Sequence, residues 1–180
     1  MSGKYTIRPA TIADLPQIAK VARTTWDNTY NYTIAPENRR EFLERAYTPE
    51  NLTPSINAQD HWFYVADLDQ TIVGFSHFLR RYHPSQNRAE LVRLYVLPEH
   101  QNQRIGSLML ANGFDALARA RIEHCSVSVQ SSNHRARKFY ERHGFIFRRT
   151  HGQFFGTQII TLIEYTRPIT KADLQDSPVE

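Results

Sequence analysis

The sequence predicts an α/β protein, in finer terms α+β, with a mixed, mostly antiparallel central sheet flanked by helices on both faces. Three observations carry this. Strand-like and helix-like periods interleave in the order β-α-α-β-β-β-α-β-α-β-β, a pattern that covers both faces of a sheet. The strand-like runs His61–Asp67 and Thr71–Arg81 follow each other with only a three-residue break, as an antiparallel hairpin does. The chain has 180 residues with 41% hydrophobic and 12% aromatic content and no low-complexity tract, which suits one domain whose core buries roughly 70% of the unfolded surface. The domain is expected over residues 1–170, with a loose acidic tail over 171–180.

Tyr5 to Arg8 reads as a short strand, and Thr11 with Asp14 three residues on opens a helix running to about Asn28. Ile12, Leu15, Ile18, Ala19, Ala22 and Trp26 share its apolar face. Pro36 to Ala46 reads as a second helix with proline in its first turn, and Tyr47 to Asp60 as a loop or short helix. His61–Asp67 and Thr71–Arg81 form a hairpin around Leu68, Asp69 and Gln70. Ala89 to Leu97 is the strongest strand and stops at Pro98. After polar residues a helix begins at Ile105, with Leu108, Met109, Ala116, Leu117 and Ala120 on one face. A strand at His124–Val129, a helix at about Asn133–His143, and strands at Phe145–Arg149 and Gln158–Arg167 complete the order.

Composition excludes several functions. The seven glycines, at 3, 74, 106, 113, 144, 152 and 156, form neither G-x-G-x-x-G nor G-x-x-x-x-G-K-[ST], so those two nucleotide loops are absent. Cys125 is the only cysteine and reads as a buried strand thiol. The eight histidines show no H-E-x-x-H or paired spacing, so no metal is expected. No apolar stretch approaches a membrane span, and the expectation is a cytoplasmic protein with no membrane partner. The net charge of +4 suits an anionic ligand without identifying one. Arg135, Arg137, Lys138 and Arg142 on one helix could contact nucleic acid, but without an RNA-binding signature they read better as a solvated face, and no nucleic-acid partner is expected.

The segment ELVRLYVLPEHQNQRIGSLML has a chemical logic of its own. A strand feeds a polar loop, and free N–H groups of the loop and of the opening helix converge on one concavity, an anion site. Gly106 lets an anion approach the backbone, and Gln101, Gln103 and Arg104 add donors. An ordinary βα turn would show the same short pattern.

The same residues resemble the acetyl-CoA loop of the GNAT superfamily of acyl-CoA-dependent N-acetyltransferases. Its pattern Q/R-x-x-G-x-G/A falls on Gln101, Asn102, Gln103, Arg104, Ile105 and Gly106, with Arg104 standing where the family usually has its first glycine. A second match runs from Asn133 through Ala136, Phe139 and Tyr140 to Gly144 and Phe145. The resemblance implies acetyl-CoA as cosubstrate. The backbone of Leu94, Tyr95 and Val96 would pair with the pantetheine arm, Asn102 to Ser107 would hold the pyrophosphate, and Asn133 would bond the cofactor from the other side. Tyr140 is the expected general acid, because a phenol and an alkyl thiol have similar reference pKa values. A tyrosine on the stripe of Ala136, Phe139 and His143 would equally serve the core. Glu90 is the expected base, with an ion pair to Arg80 or Arg88 as its structural alternative.

Ribosomal-protein N-terminal acetyltransferases of the RimI kind carry a catalytic Glu where this chain has Ser128. Trp26, Thr29 and Tyr30, followed by Ile34 and Pro36, resemble the amino-terminal region of PaiA-like polyamine acetyltransferases. The resemblance implies an acceptor wall in the first two helices, with Trp26, Tyr30 and Tyr32 enclosing an amine. The acceptor expected is a small amine or polyamine. Alternatives are a protein N-terminal or lysine acetyltransferase and a non-catalytic acyl-CoA-binding regulatory module. A homodimer is compatible with all of these.

Overall fold

The computed structural model describes residues 5–83 and 86–175. Along them run β1 (Thr6–Pro9), α1 (Leu15–Tyr30), α2 (Pro36–Ala46), α3 (Pro49–Asn57), β2 (His61–Leu68), β3 (Thr71–His83), β4 (Gln86–Val96), α4 (Ile105–Arg119), β5 (His124–Gln130), α5 (His134–Arg142), β6 (Ile146–Phe155) and β7 (Gln158–Pro168). The predicted order of elements is the one observed. The segment read as a loop or short helix is α3, opened by Thr48, whose hydroxyl accepts from Asn51 N at 3.3 Å, and by Pro49 in the first turn.

The seven strands make one sheet in the order β1-β2-β3-β4-β5-β7-β6. Every neighbouring pair is antiparallel except β4 and β5, which are parallel and joined through α4. On one face α1, α2 and α3 cover β2 to β4 with a cluster that includes Ile18, Ala22, Trp26, Leu52, Val65 and Phe75. On the other, α4 and α5 cover β4, β5 and β7 with Leu110, Phe114, Leu117, Val127, Tyr140 and Tyr165. Cys125 lies in that second core, where burial pushes its thiol up to about 12, so it stays protonated and inert. No helix among the described residues is long and apolar enough to cross a membrane.

Four details differ from the sequence reading. Ile12 is exposed because residues 12–14 form a tight 3-10 turn before α1, which shifts the helical phase; Thr11 and Asp14 do form the expected capping box on that turn. Leu108 is also exposed, and α4 buries Leu110, Gly113 and Phe114 instead. Strand β6 continues to Phe155 and turns tightly into β7, with Gly156 in the left-handed region at φ 58°. The segment expected as a loose tail is, as far as Gln175, attached to the domain. Arg167 Nη2 donates to Asp173 at 2.5 Å, and Gln175 N donates to Asp115 at 2.8 Å. Residues 176–180 of that expected tail lie outside the described residues.

Helix α4 reaches the sheet closely because Gly113 has no side chain: a Cβ there would overlap the ring of Phe78, itself fully buried. Gly113→Ala is therefore expected to cost about 2 kcal/mol through overpacking. For a chain of this size that lowers the thermal midpoint by roughly 4–8 °C, measurable by circular dichroism; an unchanged midpoint would show that the core yields freely at this contact.

Candidate active site

The parallel pairing of β4 with β5 is short. It runs from Arg88↔His124 to Leu91↔Val127 and stops. At that level His77 pairs with Arg93 but Phe78 pairs with Leu91, so Val92 is an extra residue in β4. Such a bulge bends the strand. Beyond it β4 stays with β3 as far as Gly74↔Val96, while β5 stays with β7 as far as Gln130↔Leu162. The two strands diverge, and a cleft of about 640 Å³ opens through the sheet. Two strand edges face each other across it with their backbone groups available, a template for an extended amide-bearing ligand.

One mouth of the cleft lies at the start of α4. Arg104 is the residue before that helix and sits in the left-handed region at φ 63°, as does Asn102 at φ 64°. The position where a glycine was expected is thus one whose backbone favours glycine, and Arg104 occupies it with some strain. The N–H groups opening α4 face the cleft mouth, where Arg104, Gly106 and Ser107 line it together with Arg135 and Arg142 of α5. A helix N-terminus among three guanidinium groups is a strong anion site. Ser107 Oγ lies 3.0 Å from His143 Nε2, and Arg135 Nη2 donates to Asn102 Oδ1 at 3.2 Å, which ties α5 to the loop.

Several expected cofactor residues have other local duties. Gln101 lines the cleft, but its side-chain amide donates to Val96 O at 2.8 Å and so braces the end of β4. Gln103 does not line the cleft: it accepts from Tyr5 and donates to Glu99 O at 3.2 Å, fastening the loop to the start of the sheet. Ile105 is buried, and a side chain at Gly106 would meet Phe139 at 3.2 Å, so that glycine serves the packing of α4 against α5. Leu94 and Val96 line the cleft along the β4 edge, and Tyr95 lines it while its ring packs 5.4 Å from Phe75. Asn133 caps α5 by accepting from Ala136 N at 3.0 Å and also lines the cleft.

Tyr140 projects from α5 into the cleft wall between Phe139 and Phe145. Burial pushes its phenol well above the ordinary value, with Tyr95 and Tyr30 adding to the shift. Glu90 does not line the cleft, and Arg81, rather than Arg80 or Arg88, holds its carboxylate at 2.5 Å. Trp26 does not line it either: its ring is buried core, stacked on Phe42 at 4.5 Å and Phe155 at 5.5 Å. Tyr32 is 93% exposed and lies away from the cleft. Of the expected acceptor residues only Tyr30 reaches it, beside Thr25, Asn28 and Thr29. Those three share the i, i+3, i+4 spacing of a helical stripe, a signal present in the sequence.

Arg93, also missed, enters the cleft from β4, its guanidinium 5.2 Å from the centre of the Tyr47 ring. Arg93 Nη1 donates to His77 Nδ1 at 2.8 Å, and His77 Nε2 lies 2.9 Å from His61 Nδ1. Because arginine only donates, His77 Nδ1 must accept, so its proton is on Nε2 and is given to His61. Burial, then the charge of Arg93, depress His77 to about 3, and burial depresses His61 as well. Both rings are neutral. No group of three or more His, Cys, Asp or Glu side chains suited to a metal occurs among the described residues.

Comparison with known proteins agrees with this geometry. The acetyltransferase (GNAT) family model matches residues 24–145. The spermidine N(1)-acetyltransferase of Thermoplasma acidophilum is 30% identical over 153 residues, covering 83% of this chain and 92% of that protein. The crystal structure of the PaiA N-acetyltransferase from Thermoplasma acidophilum in complex with coenzyme A superposes with a TM-score of 0.80 at 26% identity, covering 92% of this chain and 99% of that one. The ribosomal-protein-S18-alanine N-acetyltransferase from Escherichia coli shares the fold, with a TM-score of 0.69 at 16% identity over 98% of this chain and 99% of that one. The chain belongs to the GNAT acetyltransferase family.

Two outcomes follow from the geometry. Arg104→Gly relieves the left-handed strain and is expected to keep acetyl-CoA binding by calorimetry; loss of binding would assign the phosphates to the guanidinium itself. For His77, a folded value below the unfolded 6.5 means that the unfolded chain takes up a proton the native state refuses, so stability falls as pH drops from about 6.5 toward 3. Between about pH 6.5 and 4.5, above the ordinary carboxylate range, the unfolding free energy from urea titrations should decline by up to roughly 1.4 kcal/mol per pH unit for this one proton, and His77→Gln should flatten that slope.

Proposed function

We propose that the protein transfers the acetyl group of acetyl-CoA to the primary amine of a small molecule, by direct attack within a ternary complex. The observation that carries the reading is the gap between β4 and β5, open at one mouth to the start of α4 and at the other to α1. The pantetheine arm lies along the β4 edge at Leu94 to Val96, with the pyrophosphate at residues 102–107 and near Arg135 and Arg142. The amine approaches past Thr25, Asn28, Thr29 and Tyr30. Its lone pair attacks the thioester carbon, β4 backbone N–H groups stabilise the oxyanion, and collapse of the intermediate releases the thiolate of coenzyme A.

Tyr140 protonates that thiolate. The phenol is pushed up by burial, which at first sight makes it a poor acid. The thiolate leaves into the same poorly hydrated wall, however, and loss of water raises its basicity too, so the match between donor and acceptor survives. Among the described residues lining the cleft there is no Asp or Glu, so the amine enters as the free base, the proton its nitrogen loses as the amide forms passes to water at the mouth, and water returns a proton to Tyr140.

The similarity to the spermidine enzyme supports an amine acceptor of small size. A polyamine is a weaker match to this cleft, because a polycation gains most from carboxylates and meets Arg93 instead. Tyr140→Phe is expected to lower kcat by roughly a hundredfold while leaving the KM of acetyl-CoA nearly constant. Turnover at the wild-type level would remove the acid assignment, and coenzyme A binding without release across a panel of amines would favour a regulatory module.

A further inference from the structure

A second cavity, of about 350 Å³, opens on the same face of the sheet as the acceptor side of the cleft. The alternation of β5 makes the connection. Cys125, Val127 and Val129 point into the core under α4, so His124, Ser126 and Ser128 point to the opposite face. Ser128 lines the cleft, whereas Ser126 and His124 line the second cavity. One face of β5, through Ser128, Ser126 and His124, therefore runs from the cleft to this cavity at a rise of roughly 6.6 Å for each two residues.

The cavity is cationic by construction. Arg88 of β4, Arg148 and Arg149 of β6, and Glu164 of β7 surround it. Arg148 is there because β6 carries a bulge: Phe147 pairs with Tyr165 and Arg149 with Glu164, so Arg148 is extra and lines the cavity alongside Arg149. Arg149 is neutralised by Glu164 at 2.6 Å. No carboxylate among the described residues lies within ion-pairing distance of Arg88 or Arg148, and Glu90 is taken by Arg81. Two guanidinium groups thus face a small cavity without a counter-charge, and guanidinium pairs favour carboxylate and phosphate oxygens.

We propose that this cavity is the distal subsite for the acceptor, and that the acceptor is an extended amine carrying an anionic group, a carboxylate or a phosphate, several bonds from its nitrogen. The inference rests on the acetyl-transfer reading and adds the chemical class of the substrate. It also accounts for the lack of carboxylates around the cleft: the substrate brings the negative charge, and the protein supplies the positive one.

The test compares acceptors of one length with purified enzyme: aminohexanoate, aminohexyl phosphate, hexylamine and diaminohexane. The expected kcat/KM for one of the two anionic amines exceeds that of hexylamine by about tenfold or more, with diaminohexane lowest, and the better anion identifies the group. In the double variant Arg88→Gln, Arg148→Gln the ratio of anionic amine to hexylamine should collapse toward one. Equal use of anionic amine and hexylamine by the wild type, or a ratio untouched in the double variant, overturns the subsite while leaving acetyl transfer standing. If no amine releases coenzyme A, the transfer reading fails; calorimetric binding of the same anionic amines to the wild type but not to the double variant would then still support the subsite, and equal binding would overturn it.

Discussion

One extra residue in β4 governs the functional half of this molecule. Up to Leu91 the strand is bonded on both sides, to β3 and to β5; at Val92 the register with β3 slips, and from there the parallel partner is lost. The cost is a row of backbone groups without a strand neighbour in the middle of a sheet, which a folded protein tolerates only where water or a ligand can reach them. The neighbouring elements are arranged around that gap. Helix α4 starts at its rim, α5 places Tyr140 in its wall, and α1 forms the opposite mouth.

The sequence made the framework legible because the framework depends on periodicity. The switch from a strand read to Leu97 to a helix starting at Ile105 is a change of period, whereas Tyr140 is singled out by the resemblance of the segment from Asn133 to Phe145 to a family motif. What stayed hidden depends on register. Glu90 and Arg93 are three residues apart on one strand; the bulge brings them to the same face, and the arginine reaches the cleft because it lies past the end of the pairing with β5 that still holds the backbone of Glu90. His61 and His77 are sixteen positions apart, and their rings meet only through the pairing of β2 with β3. Trp26 was read as acceptor wall, yet three aromatic neighbours claim its surface, two of them remote in sequence.

The electrostatic character of the site likewise escapes a net charge. A total of +4 is modest, but Arg93, Arg104, Arg135 and Arg142 all reach one cleft that no described carboxylate lines. Such concentration raises the local density of anions and steers phosphate-bearing ligands toward the mouth at α4. Arg104 illustrates the balance: its backbone conformation favours glycine, and its side chain adds a charge where the anion site opens.

The line from Arg93 through His77 to His61 has one further meaning. Two imidazoles in series beside a reaction centre look like a proton wire, but here every donor points outward from a guanidinium that does not release its proton at any biological pH. The wire is cut at its inner end. The three side chains therefore offer no proton acceptor to the cleft on that flank, because the residue at its inner end is a permanent cation that can only donate.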